Sequence, residues 1–454
     1  MEKVIQKLQD LLDDRLCQDA SALEEHGQDA SYHVTQKPDA VVFPESVEEV
    51  SKIVRMCADH EIPVVPFGTG TAVEGGVVAI HGGICIDLSR MNRVLAVQQD
   101  DMDATVQAGV TRMQLNRHLE DMDSGLFFPV DPGADASLGG MAATRASGNA
   151  AVCYGTMREN VLGLKVVLAD GRIIEVGGRA RKSSAGYDLA HLFVGSEGTL
   201  GVIVEVTVKL ARVPEAVSAA VCGFGEIAPA VETVIEVMNA GIDLARIELL
   251  DEVLIQAINS YSGLDYAVTP TLFFEFHGSE LEVTEKARAV GEIVRSNGGS
   301  DFHWAAGEEK KDRLFQARYD AYYACQALRE GSICYVTDVC VPISRLADCI
   351  LKTKADLDRS DLIAPLFGHV GDGNFHVVLP LDPEREEELE EAKYLSDLMV
   401  GYALEMGGTC TGEHGVGMGK KDALRQEHGA AVDVMLAIKG ALDPKGIMNP
   451  GKVV

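Results

Sequence analysis

Short apolar runs alternate with a helical pattern near the start of the chain. Residues 39–44 and 62–67 are apolar runs that include prolines, which predicts two short buried strands. Between them, Ser46 is followed three residues later by Glu49, and this capping-box spacing predicts a helix that runs to about His60. The order strand, helix, strand favours a parallel pair joined by a crossover helix.

Helical periodicity also marks the N-terminus and the second half of the chain. Residues 1–15 place apolar residues at helical spacing among charges, which predicts an amphipathic helix rather than a signal peptide. From about residue 214, strands and helices alternate. The predicted strands are 217–224 and 271–276, and the predicted helices lie near 227–240, 279–297 and 384–406.

Three stretches rich in glycine and other small residues interrupt these patterns in the first half of the chain, at 68–76, 131–148 and 195–201. Between the last two, residues 161–176 predict a strand, an Asp-Gly turn and a strand. Glycine lets successive amides face one concavity, as phosphate binding requires. No helical pattern follows the first stretch, so it is not a dinucleotide fingerprint. Together the three indicate a long cofactor held against backbone, although tight turns would explain each one alone.

A second constellation surrounds Asp372-Gly373, which lies between apolar runs and predicts a two-residue hairpin turn. Counting outward from that turn pairs His369 directly with His376, with Cβ atoms about 5 Å apart. Two ring nitrogens could then converge on one metal ion. Two ordinary strand histidines are the alternative.

A third metal ligand is suggested by the glycine-rich run at 411–417. Glu413 is the candidate, and its neighbour His414 is left as a general base. Two histidines and one carboxylate suit zinc, manganese or iron with open positions for Lewis-acid chemistry on a bound oxygen.

Composition narrows the classes of partner. A chain of 454 residues should hold two or three domains, and 46% apolar with 24% charged residues is typical of a soluble globular protein. With 70 acidic and 40 basic residues the formal charge is −30, which argues against nucleic acid and anionic membranes as partners. No segment approaches the roughly 20 apolar residues of a transmembrane helix. The ten cysteines form no C-x-x-C pair, which favours reduced thiols in the cytoplasm, with peripheral attachment to the inner membrane left open.

The order of motifs carries a family resemblance. The chain contains P-x-G-x-G-T, S-L-G-G, Y-G, G-S-E-G-T-L-G, G-H-x-G-D-G-N-x-H, G-E-H-G-x-G and N-P-G-K. From about residue 35 to the end it resembles the FAD-dependent D-2-hydroxyacid dehydrogenases, flavoproteins of the vanillyl-alcohol oxidase type. The resemblance implies an α+β fold with a two-part FAD-binding domain and a ferredoxin-like cap domain. The expected segments are an N-terminal helical segment 1–36, the FAD-binding domain 37–213, the cap 214–395 and a returning C-terminal segment 396–454.

The same resemblance implies the flavin contacts. Some relatives attach FAD covalently to a histidine in the first loop, where this chain has Thr71 and Ala72, so noncovalent FAD is expected. The implied cofactor-binding residues are Gly68, Thr69, Gly70, Thr71, Pro132, Ser137, Gly139, Gly140, Thr144, Gly148, Gly155, Glu197, Gly198, Gly201, Val202 and Asn449.

The resemblance also implies a reaction. Arg318 matches the arginine that binds the substrate carboxylate, beside His414 as base and His369, His376 and Glu413 as metal ligands. Val336 stands where hydroxyglutarate members usually carry lysine, so a small monocarboxylate is favoured. The expected activity is oxidation of D-lactate to pyruvate by hydride transfer to flavin N5. Alternatives are a glycolate or D-2-hydroxyglutarate dehydrogenase, a subunit of a glycolate oxidase complex, and, from another class, a metallohydrolase.

The expected partners follow from this chemistry. They are a small 2-hydroxy acid and a separate electron acceptor, which would be a quinone, a cytochrome or an electron-transfer flavoprotein. A homodimer and a subunit of a larger complex both fit the sequence.

Overall fold

The computed structural model describes residues 1–306 and 320–454, which form two units. The first unit comprises Met1–Ser147, Gly155–Val213 and Glu413–Val454, and the second comprises Gly148–Tyr154 and Pro214–Gly412. The finer division into four segments stays a prediction.

The first unit opens with the expected amphipathic helix, Glu2–Leu12, which buries Val4, Leu8 and Leu12 along one face. A four-stranded sheet follows, whose strands in spatial order are Leu16–Cys17, Ala40–Val42, Ile84–Asp87 and Val64–Phe67. The second and fourth of these are the two predicted parallel strands. They do not pair with each other, because Ile84–Asp87 lies between them and pairs in parallel with both.

The crossover helix between those strands is Val47–Asp59. Ser46 caps it by accepting a hydrogen bond from the Glu49 amide at 3.3 Å. The reciprocal bond of a capping box is missing, because the Glu49 carboxylate accepts from the Glu45 amide and pairs with Arg15 at 2.6 Å. The predicted helix and its N-cap are therefore confirmed, and the full capping box is wrong.

The first unit also contains a five-stranded antiparallel sheet. Its strands in spatial order are Val94–Gln98, Asp103–Gln107, Val202–Lys209, Val161–Val167 and Ile173–Gly177. The last two form the predicted hairpin around Asp170-Gly171, where Gly171 has a φ of 80°. Leu126–Phe127 and Ala211–Arg212 make a small separate pair. The remaining helices are Ala20–Glu25, Arg112–Asp121, Leu138–Thr144, Met157–Asn160, Leu189–Phe193, Lys421–His428 and Ala431–Leu442.

The second unit is built on a ferredoxin-like pattern. Strand Ala216–Gly223, helix Ile227–Asn239, strand Arg246–Leu250, strand Thr271–Gly278, helix Glu280–Ser296 and strand Ser300–Ala306 follow one another, with helix Glu252–Ser262 inserted between the middle strands. Numbered along the chain, the four strands lie in the antiparallel order 4-1-3-2. This is the arrangement of a split βαβ repeat. The predicted strands and helices of this region are confirmed to within a few residues.

Further strands extend the same sheet beyond Arg246–Leu250. In spatial order they are Leu366–Gly368, Asn374–Leu381 and Ile333–Val336, and the short strand Val339–Cys340 also pairs with Asn374–Leu381. The accompanying helices are Ala151–Tyr154, Ala321–Ala327, Leu346–Leu357 and the predicted charged helix Glu386–Glu405. Over the two described ranges, no helix combines the length and apolar character needed to cross a bilayer.

Candidate active site

A cleft in the first unit is lined by all three glycine-rich stretches. The cleft is partly open to solvent, and its empty space of about 1270 Å³ includes some of that solvent. Its walls include the backbone of residues 68–71, the start of helix Leu138–Thr144 and the turn at 197–198. Glu413 and His414 also line it. A lining of small residues drawn from three separate stretches suits a long cofactor.

The first two glycine-rich stretches meet within this cleft. Ser137 caps helix Leu138–Thr144 by accepting a hydrogen bond from the Gly140 amide at 3.3 Å. A Cβ added to Gly68 would lie 2.5 Å from the Ser137 oxygen, and one added to Gly139 would lie 2.5 Å from the Cβ of Ala108. Close packing therefore requires glycine at position 139, and a side chain at position 68 would displace the capping oxygen of Ser137.

The third stretch is tied to the C-terminal part of the unit. Glu197 has a left-handed φ of 49° and is buried, and its carboxylate accepts from the amides of Val416 and Gly417 at 2.7 and 2.8 Å. Burial raises the pKa of Glu197, and these two amide bonds oppose the rise. The Asn449 amide donates to the carbonyls of Gly76 and Glu197 at 2.9 and 2.7 Å. The tail therefore bridges the first and third loops.

Most of the predicted flavin residues line the cleft: Gly68, Thr69, Gly70, Thr71, Pro132, Ser137, Gly139, Gly140, Thr144, Glu197, Gly198 and Gly201. Gly155, Val202 and Asn449 belong to the same unit but stand outside that lining, and Gly148 belongs to the second unit. Asn449 has instead the bridging role just described. Direct contact of each residue with flavin stays a prediction.

Lys452 is a buried cation that the sequence reasoning missed. It is 2% exposed and donates to the carbonyl of Val78 at 2.7 Å. Burial lowers its pKa to about 8, although the nearby carboxylates of Asp29 and Glu197 favour its charged form. Burial raises the pKa of Asp29 in turn. The closing N-P-G-K motif, read as a source of cations as well as of Asn449, would have pointed to this lysine.

The histidine pair of the second unit is brought together by a different turn from the one predicted. Residues Val370–Asp372 form a 3-10 turn, and His376 pairs in register with Phe367, so the predicted two-residue hairpin with opposed histidines is wrong. Gly373 is held elsewhere, because its carbonyl accepts from the Val341 amide at 3.0 Å. The imidazoles still meet, with ring centroids 5.6 Å apart and planes at 80°.

Each of these imidazoles is oriented through its Nδ1 atom. Nδ1 of His369 is 2.6 Å from the Glu248 carboxylate, and Nδ1 of His376 is 3.2 Å from the Thr337 carbonyl. A carbonyl or a carboxylate only accepts, so Nδ1 carries the proton and a neutral ring keeps a lone pair on Nε2. Both histidines are buried, and ring nitrogens of the two lie within 4.8 Å of each other. This donor set fits a divalent metal.

The chain leaves the second unit beside this pair. Asn374 donates to the Asp338 carboxylate at 2.7 Å, and Thr411 donates to the other oxygen of the same carboxylate at 2.8 Å. Gly412 packs closely against Asn374 and Asp338. A Cβ added to Gly412 would lie 2.2 Å from the Asn374 amide nitrogen and 3.1 Å from an Asp338 carboxylate oxygen. Glu413 is the next residue in the chain. The predicted carboxylate-binding residue Arg318 lies outside the described residues.

Two family models match the chain. Residues 38–177 match the FAD binding domain, and residues 213–453 match the C-terminal domain of the FAD linked oxidases. The chain belongs to the FAD-linked oxidases. It is an FAD-dependent oxidoreductase, which confirms the predicted flavin cofactor and replaces the metallohydrolase alternative.

Curated relatives of this FAD-linked oxidase align along nearly its whole length. It is 52% identical to the probable mitochondrial D-lactate dehydrogenase of Danio rerio, covering 100% of this chain and 92% of the relative. Identity to the mitochondrial D-lactate dehydrogenase (cytochrome) of Arabidopsis thaliana is 47%, with coverage of 100% and 80%. Identity to glycolate oxidase subunit GlcD of Bacillus subtilis (strain 168) is 35%, with coverage of 94% and 91%. The resemblance predicted from the motifs is thereby confirmed.

Solved structures agree on the fold. p-Cresol methylhydroxylase superposes with a TM-score of 0.82 at 19% identity, and 4-ethylphenol oxidase from Gulosibacter chungangensis with 0.79 at 18%. Each comparison covers 100% of this chain and 96% of the other. The predicted fold of the vanillyl-alcohol oxidase type is confirmed.

Proposed function

We propose that this FAD-linked oxidase catalyses the metal-dependent oxidation of a small D-2-hydroxy acid, D-lactate to pyruvate. The observation that carries the proposal is the alignment of the whole chain, at 52% and 47% identity, with relatives named D-lactate dehydrogenases. When bound, FAD supplies the hydride acceptor at N5, and a divalent metal supplies a Lewis acid for the substrate hydroxyl.

The first unit would bind FAD noncovalently in its glycine-rich cleft. The lining carries Thr71 and Ala72 where some relatives have the histidine of a covalent link. Backbone amides of residues 68–71 would hold the pyrophosphate, because glycine permits the close approach that this requires. Glu197 and Asn449 would support the cleft by fixing its loops to the C-terminal segment.

His369 and His376 would hold a zinc, manganese or iron ion through Nε2, since Nδ1 of each ring is engaged elsewhere. Glu413 would be the third ligand. The preceding residue supports this assignment, because Gly412 lies against Asp338 and Asn374. Consecutive Cα atoms are only about 3.8 Å apart, so the backbone of Glu413 would start close to the same residues.

His414 would take the proton of the substrate hydroxyl, and Arg318 would fix the substrate carboxylate through its planar fork. Glu413 and His414 both line the cleft of the first unit, so a ligand and a base would stand at the mouth of the flavin site. The proposed assignment gives the Glu-His dipeptide two separate tasks.

Val336 favours a small monocarboxylate over a dicarboxylate. It is half-buried in strand Ile333–Val336 and pairs with Val378, so this position offers no cation to a second carboxylate. Glycolate is the second candidate, because the chain is also 35% identical to a glycolate oxidase subunit and glycolate is likewise a monocarboxylate. D-2-hydroxyglutarate is third, because Val336 offers no cation to its second carboxylate.

A separate acceptor would reoxidise the flavin. A cytochrome is the first candidate, since it is in the name of one relative, and a quinone or an electron-transfer flavoprotein are the others. The eukaryotic relatives are named mitochondrial, whereas the cytoplasmic location and the homodimer or complex of this chain stay predictions.

The proposal is tested by anaerobic stopped-flow reduction of the purified, metal-analysed flavoprotein. D-lactate should bleach the flavin absorbance near 450 nm faster than glycolate or D-2-hydroxyglutarate, and chelation of the metal should slow bleaching without releasing FAD. Bleaching by D-2-hydroxyglutarate alone would refute the substrate assignment, and an unchanged rate in metal-free protein would refute the metal's role.

A further inference from the structure

Glu248 is a fully buried carboxylate between apolar residues of strand Arg246–Leu250. Its neighbours Ile247 and Leu249 are 1% and 0% exposed, and Glu248 itself is 0% exposed. Burying a carboxylate is costly unless a partner compensates it. One partner is Nδ1 of His369, which lies 2.6 Å from Glu248 Oε1.

The sheet brings these two residues together across 121 positions of sequence. Strand Arg246–Leu250 runs antiparallel to strand Leu366–Gly368, with Leu249 opposite Gly368 and Leu250 opposite Phe367. Extending this register by one pair puts Glu248 directly opposite His369. Opposed side chains of an antiparallel pair share one face, so the contact is built into the strand register.

We propose that Glu248 is a positioning residue that fixes the ring orientation and tautomer of His369 for metal binding. The inference rests on the proposed metal centre and adds to it the residue that prepares one ligand. By accepting the Nδ1 proton, Glu248 keeps the lone pair on Nε2, where the metal would bind. Carboxylates behind metal-binding histidines contribute about 10- to 100-fold to metal affinity in other proteins.

The same sheet contains a matched control. Glu275 is 2% exposed and its carboxylate lies 2.6 Å from Nε2 of His277. Nδ1 of His277 is also engaged, because the Tyr154 hydroxyl lies 2.7 Å from it. This second buried pair therefore leaves no ring nitrogen for a metal. Glu275→Gln reports the structural cost of losing a buried carboxylate beside histidine, including its ion pair with Arg246 at 3.3 Å.

The experiment titrates Mn²⁺ and Zn²⁺ into the metal-stripped, FAD-loaded protein in competition with a fluorescent chelator. Wild type, Glu248→Gln, Glu275→Gln and His369→Ala are compared, and the melting temperature is measured with and without metal. Glu248→Gln should weaken metal binding about 10- to 100-fold and reduce the metal-induced rise in melting temperature. Glu275→Gln should leave the affinity within twofold of wild type, even where it lowers the melting temperature of the metal-free protein.

The alternative outcomes are distinct. Loss of binding in His369→Ala with wild-type affinity in Glu248→Gln would overturn this inference and leave the metal centre intact, as would equal weakening by both glutamine variants. Absence of binding in wild type would overturn the metal centre itself. Nitrogen NMR of metal-free wild type labelled in histidine gives a measurement independent of variant folding. It should show His369 protonated at Nδ1, and a proton on Nε2 instead would refute the role of Glu248.

Discussion

The carboxylate of Glu197 accepts hydrogen bonds from the backbone amides of Val416 and Gly417, across more than 200 residues of sequence. Gly415 alone separates these two residues from the Glu413-His414 dipeptide. A glutamate in the third glycine-rich loop therefore fixes the loop that carries the proposed metal ligand and base. Burial raises the pKa of Glu197, and these two amides and the buried Lys452 oppose the rise.

Replacing Glu197 with Ala should loosen that loop without removing any reacting group. We expect the flavin content to fall and the rate of flavin reduction by D-lactate to drop by about tenfold or more, since small misplacements of catalytic groups can cost about 100-fold. Bound FAD after gel filtration and anaerobic stopped-flow rates measure both effects. Glu205→Gln, in the same unit beside Lys165 and outside the cleft lining, is the control. A wild-type reduction rate in Glu197→Ala would contradict the positioning role.

Gly139 should tolerate no side chain, because a Cβ there would lie 2.5 Å from the Cβ of Ala108 and 2.9 Å from its carbonyl oxygen. Gly139→Ala must displace helix Leu138–Thr144, which costs about 1–3 kcal/mol of unfolding free energy. Thermal melting and FAD retention should both fall. Gly440→Ala, in helix Ala431–Leu442 with open space around it, should instead be neutral or stabilising by up to about 1 kcal/mol. Equal behaviour of the two variants would contradict the packing.

Hydrophobic periodicity was sufficient to predict the long elements. Helices Glu2–Leu12, Ile227–Asn239, Glu280–Ser296 and Glu386–Glu405 lie where apolar spacing predicted them, because each buries one continuous face. Periodicity did not predict which strands pair with each other. The two early parallel strands are separated by Ile84–Asp87, which follows a glycine-rich loop whose path has no periodic signal.

In the candidate site too, local turns could be predicted from the sequence, whereas contacts with distant residues could not. Asp170-Gly171 made the predicted hairpin because local turn geometry decided it, whereas Asp372-Gly373 did not, because the Val341 amide binds the Gly373 carbonyl. Glu248 was missed since its partner His369 lies in a distant strand. The available signal was a lone carboxylate within the apolar run Ile-Glu-Leu-Leu, which demands a buried partner.

Asp251 should make the stability of the protein depend on pH. It caps helix Glu252–Ser262 by accepting from the Leu254 amide at 2.9 Å, and burial raises its pKa to about 6 despite the attraction of Lys354. Burial lowers the pKa of Lys354, but the attraction of Asp251 and Glu252 outweighs this effect, and the pKa is raised. Because the folded state binds the Asp251 proton more tightly than the unfolded chain, this group stabilises the fold in acid, and the contribution is lost as pH rises through about 6.

Asp251→Asn keeps an oxygen for the cap but removes this titration. Relative to wild type, its free energy of unfolding should rise between pH 4 and 7, by at most about 3 kcal/mol. Denaturant titrations at several pH values measure the difference. Asp188→Asn is the control, since hydrogen bonds with His191 lower the pKa of that exposed carboxylate below its usual value of 3.8, so its difference from wild type should stay nearly constant between pH 4 and 7. A pH-independent difference for Asp251→Asn would contradict the assignment.

His414 should affect chemistry but not cofactor binding. His414→Ala is expected to retain FAD and metal while slowing flavin reduction by roughly 100-fold or more, because a general base contributes about that factor. Anaerobic stopped-flow rates and metal analysis measure this. His428→Ala, at the end of helix Lys421–His428, should react like wild type. Unchanged reduction in His414→Ala would show that another group takes the proton.

Val336 offers the sharpest test of substrate choice. Introducing a cation by Val336→Lys should favour a second carboxylate, since a hydrogen bond to a charged group contributes about 1.5–3 kcal/mol, or roughly 10- to 100-fold in kcat/KM. We expect the ratio of kcat/KM for D-2-hydroxyglutarate over D-lactate to rise by about tenfold or more. Val336→Met, of similar length without charge, should leave the ratio near that of wild type. A ratio that rises equally in both variants would mean that strand Ile333–Val336 controls the site by shape and not by charge.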